Sequence, residues 1–406
     1  MTTSPAAPDA PDALPELRLR HREDRRITAG HLWVFSNEVD TARTPLTGFA
    51  PGAMCRAIGD KERFLGYAYV NPHALICARI VGRDPEFAPG KSLIVHRLQV
   101  ALALRERLYP EPFYRLVYGE SDGLPGLVLD RYGDVIVGQI GTAGMEAMKE
   151  EVVAALEKVI RPRTVIWKND SGARELEGLA SYVETAHGEP VDKAVVVENG
   201  VSFEVPIGSG QKTGWFYDQA ANRRALLKYV PGLRVLDVFS YLGAWGLAAA
   251  KAGASEVACV DSSAPALEIL ERSAAANGLS VRTVRDDAFD ALAALRDAGE
   301  KFDVVVIDPP AFIKRRKDAP KGQAAYRKLN QLAMQLLPRD GILVSCSCSH
   351  HLAQDDLIDT VQQAARHLGR FAQVVEVGGH SPDHPLHPAI PETRYLKSLF
   401  CRVVHD

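Results

Sequence analysis

Cysteine is scarce, with six in 406 residues and no framework of short regular spacings. That excludes a disulfide scaffold and points to free thiols in a reducing compartment. No stretch approaches the ~18 consecutive apolar residues that span a bilayer. The amino-terminal MTTSPAAPDAPDALPE has neither the basic start nor the apolar run of a secretory signal. The chain is therefore expected in the cytoplasm, away from membranes. A surplus of charge is also missing: a net charge of −3 gives no global pull toward nucleic acid, so any such affinity must be local. There is no repeat of fixed period, no cysteine and histidine spacing usual for zinc and no G-x-G-x-x-G dinucleotide turn, and no metal is expected.

At 406 residues the chain suggests two or three units. Residues 1–15, rich in Ala, Pro, Ser and Asp, read as a flexible tail. From 16 to 90 the pattern is short and strand-like (MCRAIGD, RFLGYAYV, ALICARIV), which suggests a small β barrel. The polar GRDPEFAPGKS then opens a segment over 91–200, expected as α+β. It contains a helix from Ser92 to about Tyr109 and a second one over AGMEAMKEEVVAALEKVI, in which Met145 and Met148 fill the core. From 201 to 406, runs rich in Val, Ile and Leu alternate with helices and end in a hairpin, the pattern of a doubly wound sheet.

Ligands of such sheets bind outside the carboxyl ends of the strands, so those positions carry the functional reading. The first strand ends VLDVFSYLGAWG: Asp237 lies in the strand, Gly243 permits close backbone approach, and Gly246 opens a helix whose positive end favours a carboxylate. The second strand ends in Asp261, suited to ribose hydroxyls, and Asp287 follows the third, where it could face an adenine amino group. An acidic residue inside the strand and no pyrophosphate turn favour a cofactor carrying adenosine and a carboxylate; S-adenosylmethionine fits. The fourth strand ends VVVIDPPAF, a rigid Asp308-Pro309-Pro310 turn able to hold a base against Phe312. Lys314, Arg315, Arg316, Lys317 and Lys321 follow, able to grip phosphates at the cleft mouth. The fifth strand, GILVSCSCS, alternates Ile342, Val344, Cys346 and Cys348 on one face. Cys348, nearer the carboxyl end, is the expected nucleophile, although the doubled cysteine leaves Cys346 as its competitor. Cys259 and Cys401 read as structural.

Together GHLWVFSNEVD, GYAYVNPHALICARIV, LVYGESDGLPGLVLDRYGD, GQKTGWFYDQAANR, VLDVFSYLGAWG, DPPAF, YRKLNQLA, CSCS and YLKSLFCRVV resemble the bacterial 23S ribosomal RNA 5-methylcytosine methyltransferases. These join a PUA domain to a class I methyltransferase domain, and the likeness covers about 16 to 406. It implies a PUA-like RNA-binding barrel, a small α+β middle domain and a Rossmann-like catalytic domain. It assigns S-adenosylmethionine to Asp237, Phe239, Ser240, Tyr241, Gly243, Asp261, Ser262, Asp287, Ala288 and Asp308, with Lys212 and Thr213 bordering the cofactor or target. Cys348 and Asp308 would be catalytic. The arginine-rich RLRHREDRR, a basic strand by its pattern, would contact RNA through Arg18, Arg20 and Arg22, and Lys314 to Lys317 would do so beside the cleft. The implied partner is 23S rRNA or a large-subunit precursor, with a homodimer left open. DPPAF lacks the second cysteine that many such enzymes carry, so release by a second thiol is not implied. Two rivals are methylation of an exocyclic amine through DPPAF and a non-catalytic RNA-binding or assembly protein; the turn pattern speaks against an NAD-dependent dehydrogenase.

Overall fold

The computed structural model describes residues 14–208 and 210–405; apart from its last two residues, the tail expected over 1–15 lies outside them. Contacts divide the chain into one unit of residues 1–192, 208–213 and 385–393, and a second of 193–207, 214–384 and 394–406.

The first unit holds two five-stranded sheets. One uses strands Glu16–Arg18, Ala53–Ile58, Phe64–Val70, Ile76–Gly82 and Trp33–Phe35, in that spatial order. It closes over Leu17, Val34, Cys55, Ala57, Leu65, Ala68, Val70 and Ile80. RLRHREDRR does not form the single basic strand that its pattern suggested. The strand stops at Arg18, Arg22 turns left-handed (φ 67°) with its N–H on the Asp60 carboxylate, and helix Arg25–Thr28 follows. The second sheet runs Tyr182–His187, Thr164–Asn169, Val135–Ile140, Leu127–Tyr132 and Phe113–Tyr118. Helix Lys91–Leu108 belongs to the same unit. The helix expected from Ala143 is broken at Met148 into Ala143–Ala147 and Lys149–Val159. Met145 is fully buried in the core and Met148 packs against it.

In the second unit, hairpin Lys193–Glu198 and Val201–Pro206 spans the boundary expected at 200, which falls in its turn. A seven-stranded sheet follows in the order Arg282–Arg285, Glu256–Asp261, Arg234–Val238, Val304–Ile307, Asp340–Ser347, Lys397–His405 and Arg370–Gly378. The first five are parallel; Lys397–His405 pairs antiparallel on both sides. Period-two alternation sends Leu236, Val238, Ala258, Val260, Val305 and Ile307 into a core shared with Leu292, Leu295, Leu329, Leu332, Leu357 and Val361 of helices Ala288–Asp297, Ala319–Gln335 and Gln354–His367. Each such valine, leucine or isoleucine contributes about 1.5–3 kcal/mol by leaving water.

The opposite face receives helix Ala244–Lys251, where a Cβ on Gly246 would lie 2.5 Å from Cys259 Sγ. Gly246 thus lets the helix touch the sheet. Gly243 is left-handed (φ 79°), and a Cβ there would meet Leu270 Cγ at 2.6 Å. Gly243→Ala combines backbone strain with overpacking and is expected to cost about 2–4 kcal/mol, read as a lower urea midpoint at unchanged slope.

Candidate active site

The rim at the carboxyl ends of the parallel strands is built by one tight turn and three strand ends. After Val238 the chain takes left-handed conformations at Phe239 (φ 66°), Tyr241 (φ 47°) and Gly243 (φ 79°). Non-glycine residues pay for such conformations, and they concentrate where a backbone clamps a ligand. The turn is tied down on both sides: Ser240 N–H donates to Val260 O (3.0 Å), Gly243 N–H to Ser240 O (2.7 Å) and Tyr241 N–H to Asp261 Oδ2 (2.8 Å). Asp261 Oδ1 accepts from Ser263 N–H (2.9 Å). Each Asp261 oxygen keeps a further lone pair, as a hydroxyl-binding carboxylate needs.

Asp237 is fully buried, and its Oδ2 accepts from Gly246 N–H (2.9 Å). Among the described residues Oδ1 has no hydrogen-bond partner, nor has the buried Ser240 Oγ in the same turn. Burial pushes the Asp237 carboxyl up to about 7, the Gly246 N–H pulls it back, and the charges of Asp308 and Asp261 push further. An unsatisfied buried acceptor is costly and is relieved by a ligand that brings a donor or a positive charge. S-adenosylmethionine brings both, together with a carboxylate for the amino end of helix Ala244–Lys251 and ribose hydroxyls for Asp261, so the residues fit it.

The other positions expected to hold the cofactor divide. Phe239 is half-buried at the rim, and Tyr241 hydroxyl donates to Gly214 O (3.3 Å). Ser262 is exposed, and Asp287 is an exposed cap that accepts from Phe289 N–H (2.8 Å) ahead of buried Ala288. Lys212 and Thr213 belong to the first unit. There Thr213 Oγ1 donates to Asp130 Oδ2 (2.5 Å), and Lys212 lines a cavity of about 660 Å³ with Trp33, Tyr118 and Lys168.

Asp308 stands where strand Val304–Ile307 ends, and both its oxygens are held: Gln219 Nε2 donates to Oδ1 (2.9 Å) and Trp245 Nε1 to Oδ2 (3.0 Å). Gln219 is itself oriented by Asn222, whose Nδ2 donates to its Oε1 (2.6 Å). Burial pushes the Asp308 carboxyl up to about 6, opposed by the Trp245 and Gln219 donors and by Arg223, and assisted by Asp218.

The two strands that carry Asp308 and the cysteine pair are parallel neighbours, with Ile307 opposite Ser345. Cys348 is half-buried just past its strand, with Sγ 3.8 Å from the carbonyl oxygen of Pro309. Cys346, one step deeper, is fully buried against Ser398 Oγ (3.3 Å), and burial followed by the charge of Asp308 pushes its thiol far above the ordinary range. Cys348 is the one cysteine of the six that is not fully enclosed. Tyr326 hydroxyl lies 2.9 Å from both Ser347 Oγ and Ser349 Oγ, and Ile313 N–H donates to Ser349 Oγ (3.2 Å). The backbone on either side of Cys348 is thus pinned. Phe312 is half-buried, its ring 4.8 Å from that of Tyr326, and packs against the core.

Lys314, Arg315, Arg316 and Lys317 leave this rim exposed, with Arg315 on Asp318 at 3.0 Å. In the first unit, Arg18 spends its guanidinium on Glu62 (2.6 Å) and Glu16 (2.5 Å), and Arg20 donates to Val39 O (3.1 Å). Gln219, Trp245, Tyr326 and Lys397 carry parts of the site that sequence reasoning did not single out, although Gln219, Trp245, Tyr326 and Lys397 all lie in stretches that carried the resemblance. His380 accepts from Leu396 N–H through Nε2 (3.3 Å).

Residues 174–400 match the S-adenosylmethionine-dependent methyltransferase family, and residues 17–83 match a PUA-like domain. With the sheet order and its rim, this defines a class I methyltransferase that uses S-adenosylmethionine. The ribosomal RNA large subunit methyltransferase I of Aeromonas salmonicida is 36% identical over 93% of this chain and 97% of its own length. That of Shewanella denitrificans is 37% identical over 95% and 99%. The chain belongs to the ribosomal RNA large subunit methyltransferase I family. Among solved structures, SMU.776, a methyltransferase complexed with SAH, superposes with a TM-score of 0.81 at 20% identity, covering 96% of this chain and 100% of its own. An S-adenosylmethionine-dependent methyltransferase from Streptococcus mutans does so at 0.79, with the same identity and coverage. Both share the fold. Among the described residues, no helix is long and apolar enough to cross a membrane.

Proposed function

We propose that this protein methylates carbon 5 of a cytosine in 23S ribosomal RNA, in the cytoplasm, through a temporary covalent bond to Cys348. The observation that carries the reading is the convergence of a half-buried thiol, a half-buried carboxylate and the Asp237 turn on one rim. Carbon 5 of cytosine is a poor nucleophile until something adds to carbon 6. The Cys348 thiolate forms the sulfur–carbon 6 bond, and the electron pair displaced from the 5,6 double bond makes carbon 5 nucleophilic. S-adenosylmethionine supplies the electrophilic methyl group, on a sulfonium. Once carbon 5 carries the methyl, a base removes its proton, the 5,6 bond reforms and Cys348 leaves as thiolate. Asp308, fixed by Gln219 and Trp245, would hold the ring, and the target base must leave its stack to reach it.

The reading is tested by digesting 23S rRNA from cells with and without the gene and mapping methylated nucleosides by mass. One 5-methylcytidine should disappear and return when purified protein and S-adenosylmethionine are added. Loss of an N-methylated base instead would support the exocyclic-amine reaction.

Residues 16–90, with Arg18, Arg20 and Arg22, and the run Lys314 to Lys317 are proposed to contact the RNA. Phosphate contacts act through counterion release, each adding about 0.7–0.9 to the slope of log K against log salt. Replacing Lys314, Arg315, Arg316 and Lys317 by glutamine is expected to lower the magnitude of that slope by roughly 3–3.5 in a filter-binding titration, with little sequence dependence.

A further inference from the structure

Strand Lys397–His405 runs antiparallel to the cysteine strand and sets Lys397 directly opposite Ser347. The Lys397 side chain is almost wholly buried. Its Nζ donates to Ser349 O (2.6 Å) and Tyr395 O (2.7 Å), which bracket Cys348 on one side and Lys397 itself on the other. Both acceptors are neutral, and no carboxylate lies within ion-pair distance of this ammonium among the described residues. An ammonium taken out of water against carbonyls alone is costly, and an anion beside it offsets that cost. Around this corner the charged and titratable groups include Cys348, Asp308 at the neighbouring strand end, Tyr326 from helix Ala319–Gln335, Asp356 on helix Gln354–His367, Arg394, the adjacent His350 and His351, and His380, whose Nε2 accepts from Leu396 N–H.

Burial pushes Lys397 down to about 8. Cys348 is the largest influence in the opposite direction, followed by Arg394, which pushes it down, and Asp356, which pushes it up. The coupling is reciprocal: whatever a thiolate does for the ammonium, the ammonium does for the thiolate.

We infer that Lys397 is a positioning residue whose buried ammonium is the counter-charge that keeps Cys348 in its thiolate form. The inference rests on Cys348 being the nucleophile. The Tyr326–Ser347–Ser349 cluster fixes where the sulfur sits, and Lys397 fixes its charge. The thiol proton goes to solvent, and Lys397 gives up none of its own as the thiolate forms.

Iodoacetamide alkylation of the full-length protein, followed by peptide mass from pH 6 to 10, reads the Cys348 thiolate directly. The other five cysteines are buried, and a Cys348→Ala protein supplies the blank. In the unmodified protein the midpoint should lie below the ordinary thiol value of about 8.5; a midpoint at or above that value overturns the inference without any variant. Lys397→Met and Lys397→Gln should raise the midpoint by about one unit or more, cutting alkylation at pH 7 roughly tenfold while leaving the rate at pH 10 unchanged. Lys397→Arg should restore the midpoint. A purely structural lysine would change the melting temperature but leave the midpoint in place, and an unmoved midpoint in a folded Met or Gln variant also overturns the inference. If Cys348→Ala still methylates RNA, the nucleophile reading fails instead, and the alkylation midpoint separates the two outcomes.

Discussion

Replacing Cys348 by alanine is expected to lower methyl transfer by roughly 10³-fold or more while leaving S-adenosylmethionine affinity unchanged. The argument is geometric before it is chemical. Cys346 is enclosed, bonded to Ser398 and held in its protonated form by burial and by Asp308. Cys348 sits one step further out, over the Pro309 carbonyl, with its flanking serines pinned by Tyr326. The turn at Asp237, proposed to hold the cofactor, lies two strands from the cysteine strand, so loss of the thiol should not disturb it. Single-turnover kinetics with tritiated cofactor, beside calorimetric binding, separates the two effects. Cys346→Ala should keep most of its activity and lose stability; the reverse pattern would move the nucleophile one step inward.

The second large effect concerns Asp237. Its Oδ1 is buried without a partner among the described residues, and burial raises its carboxyl to about 7. In the cofactor-free protein it is therefore largely protonated below that value. A cationic cofactor binds the ionised form, so affinity should weaken as pH falls through about 7, approaching tenfold per unit below it. Asp237→Asn cannot ionise. It should bind roughly 100-fold more weakly at pH 8 and show almost no pH dependence, as titration calorimetry from pH 6 to 8.5 would read.

The sign for stability is opposite. Because the folded pKa lies above the unfolded value of 3.8, the native state keeps a proton that the unfolded chain releases. The cofactor-free protein should thus lose stability as pH rises from about 4 to 7, with Asp308, raised to about 6, acting in the same direction. Cofactor should reverse much of that loss in thermal melts.

Much of the second unit was legible because a doubly wound sheet writes itself as apolar runs, and its rim consists of whatever follows each run. Asp237, Asp261, Asp308 and Cys348 all stand at such ends. Their convergence depended on which strands are neighbours, and the pairing of Ile307 with Ser345 supplies that. The groups that orient them were not legible. Gln219 and Trp245 come from segments 89 and 63 residues before Asp308, and Lys397 reaches Ser349 from 48 residues beyond it. No local pattern marks such partners; only the fold brings them together. Local competition hid other features. Arg18, an RNA-facing cation by the resemblance, also pairs with Glu62 and Glu16, which its local sequence did not mark. RLRHREDRR cannot continue as a strand because Asp60 captures the Arg22 amide and the backbone turns left-handed. The helix after Thr142 carries an apolar stripe through Met148, yet its backbone breaks there while both methionines remain in one core.

The most direct test of the covalent route uses a 23S rRNA fragment carrying 5-fluorocytidine at the modified position, incubated with the protein and S-adenosylmethionine. Fluorine on carbon 5 cannot leave as the proton does, so the step that expels the sulfur is blocked. The protein–RNA bond should then survive denaturing electrophoresis and map by peptide mass to Cys348. Methyl transfer to the fragment with no such bond, or a bond mapping to Cys346, would contradict the account.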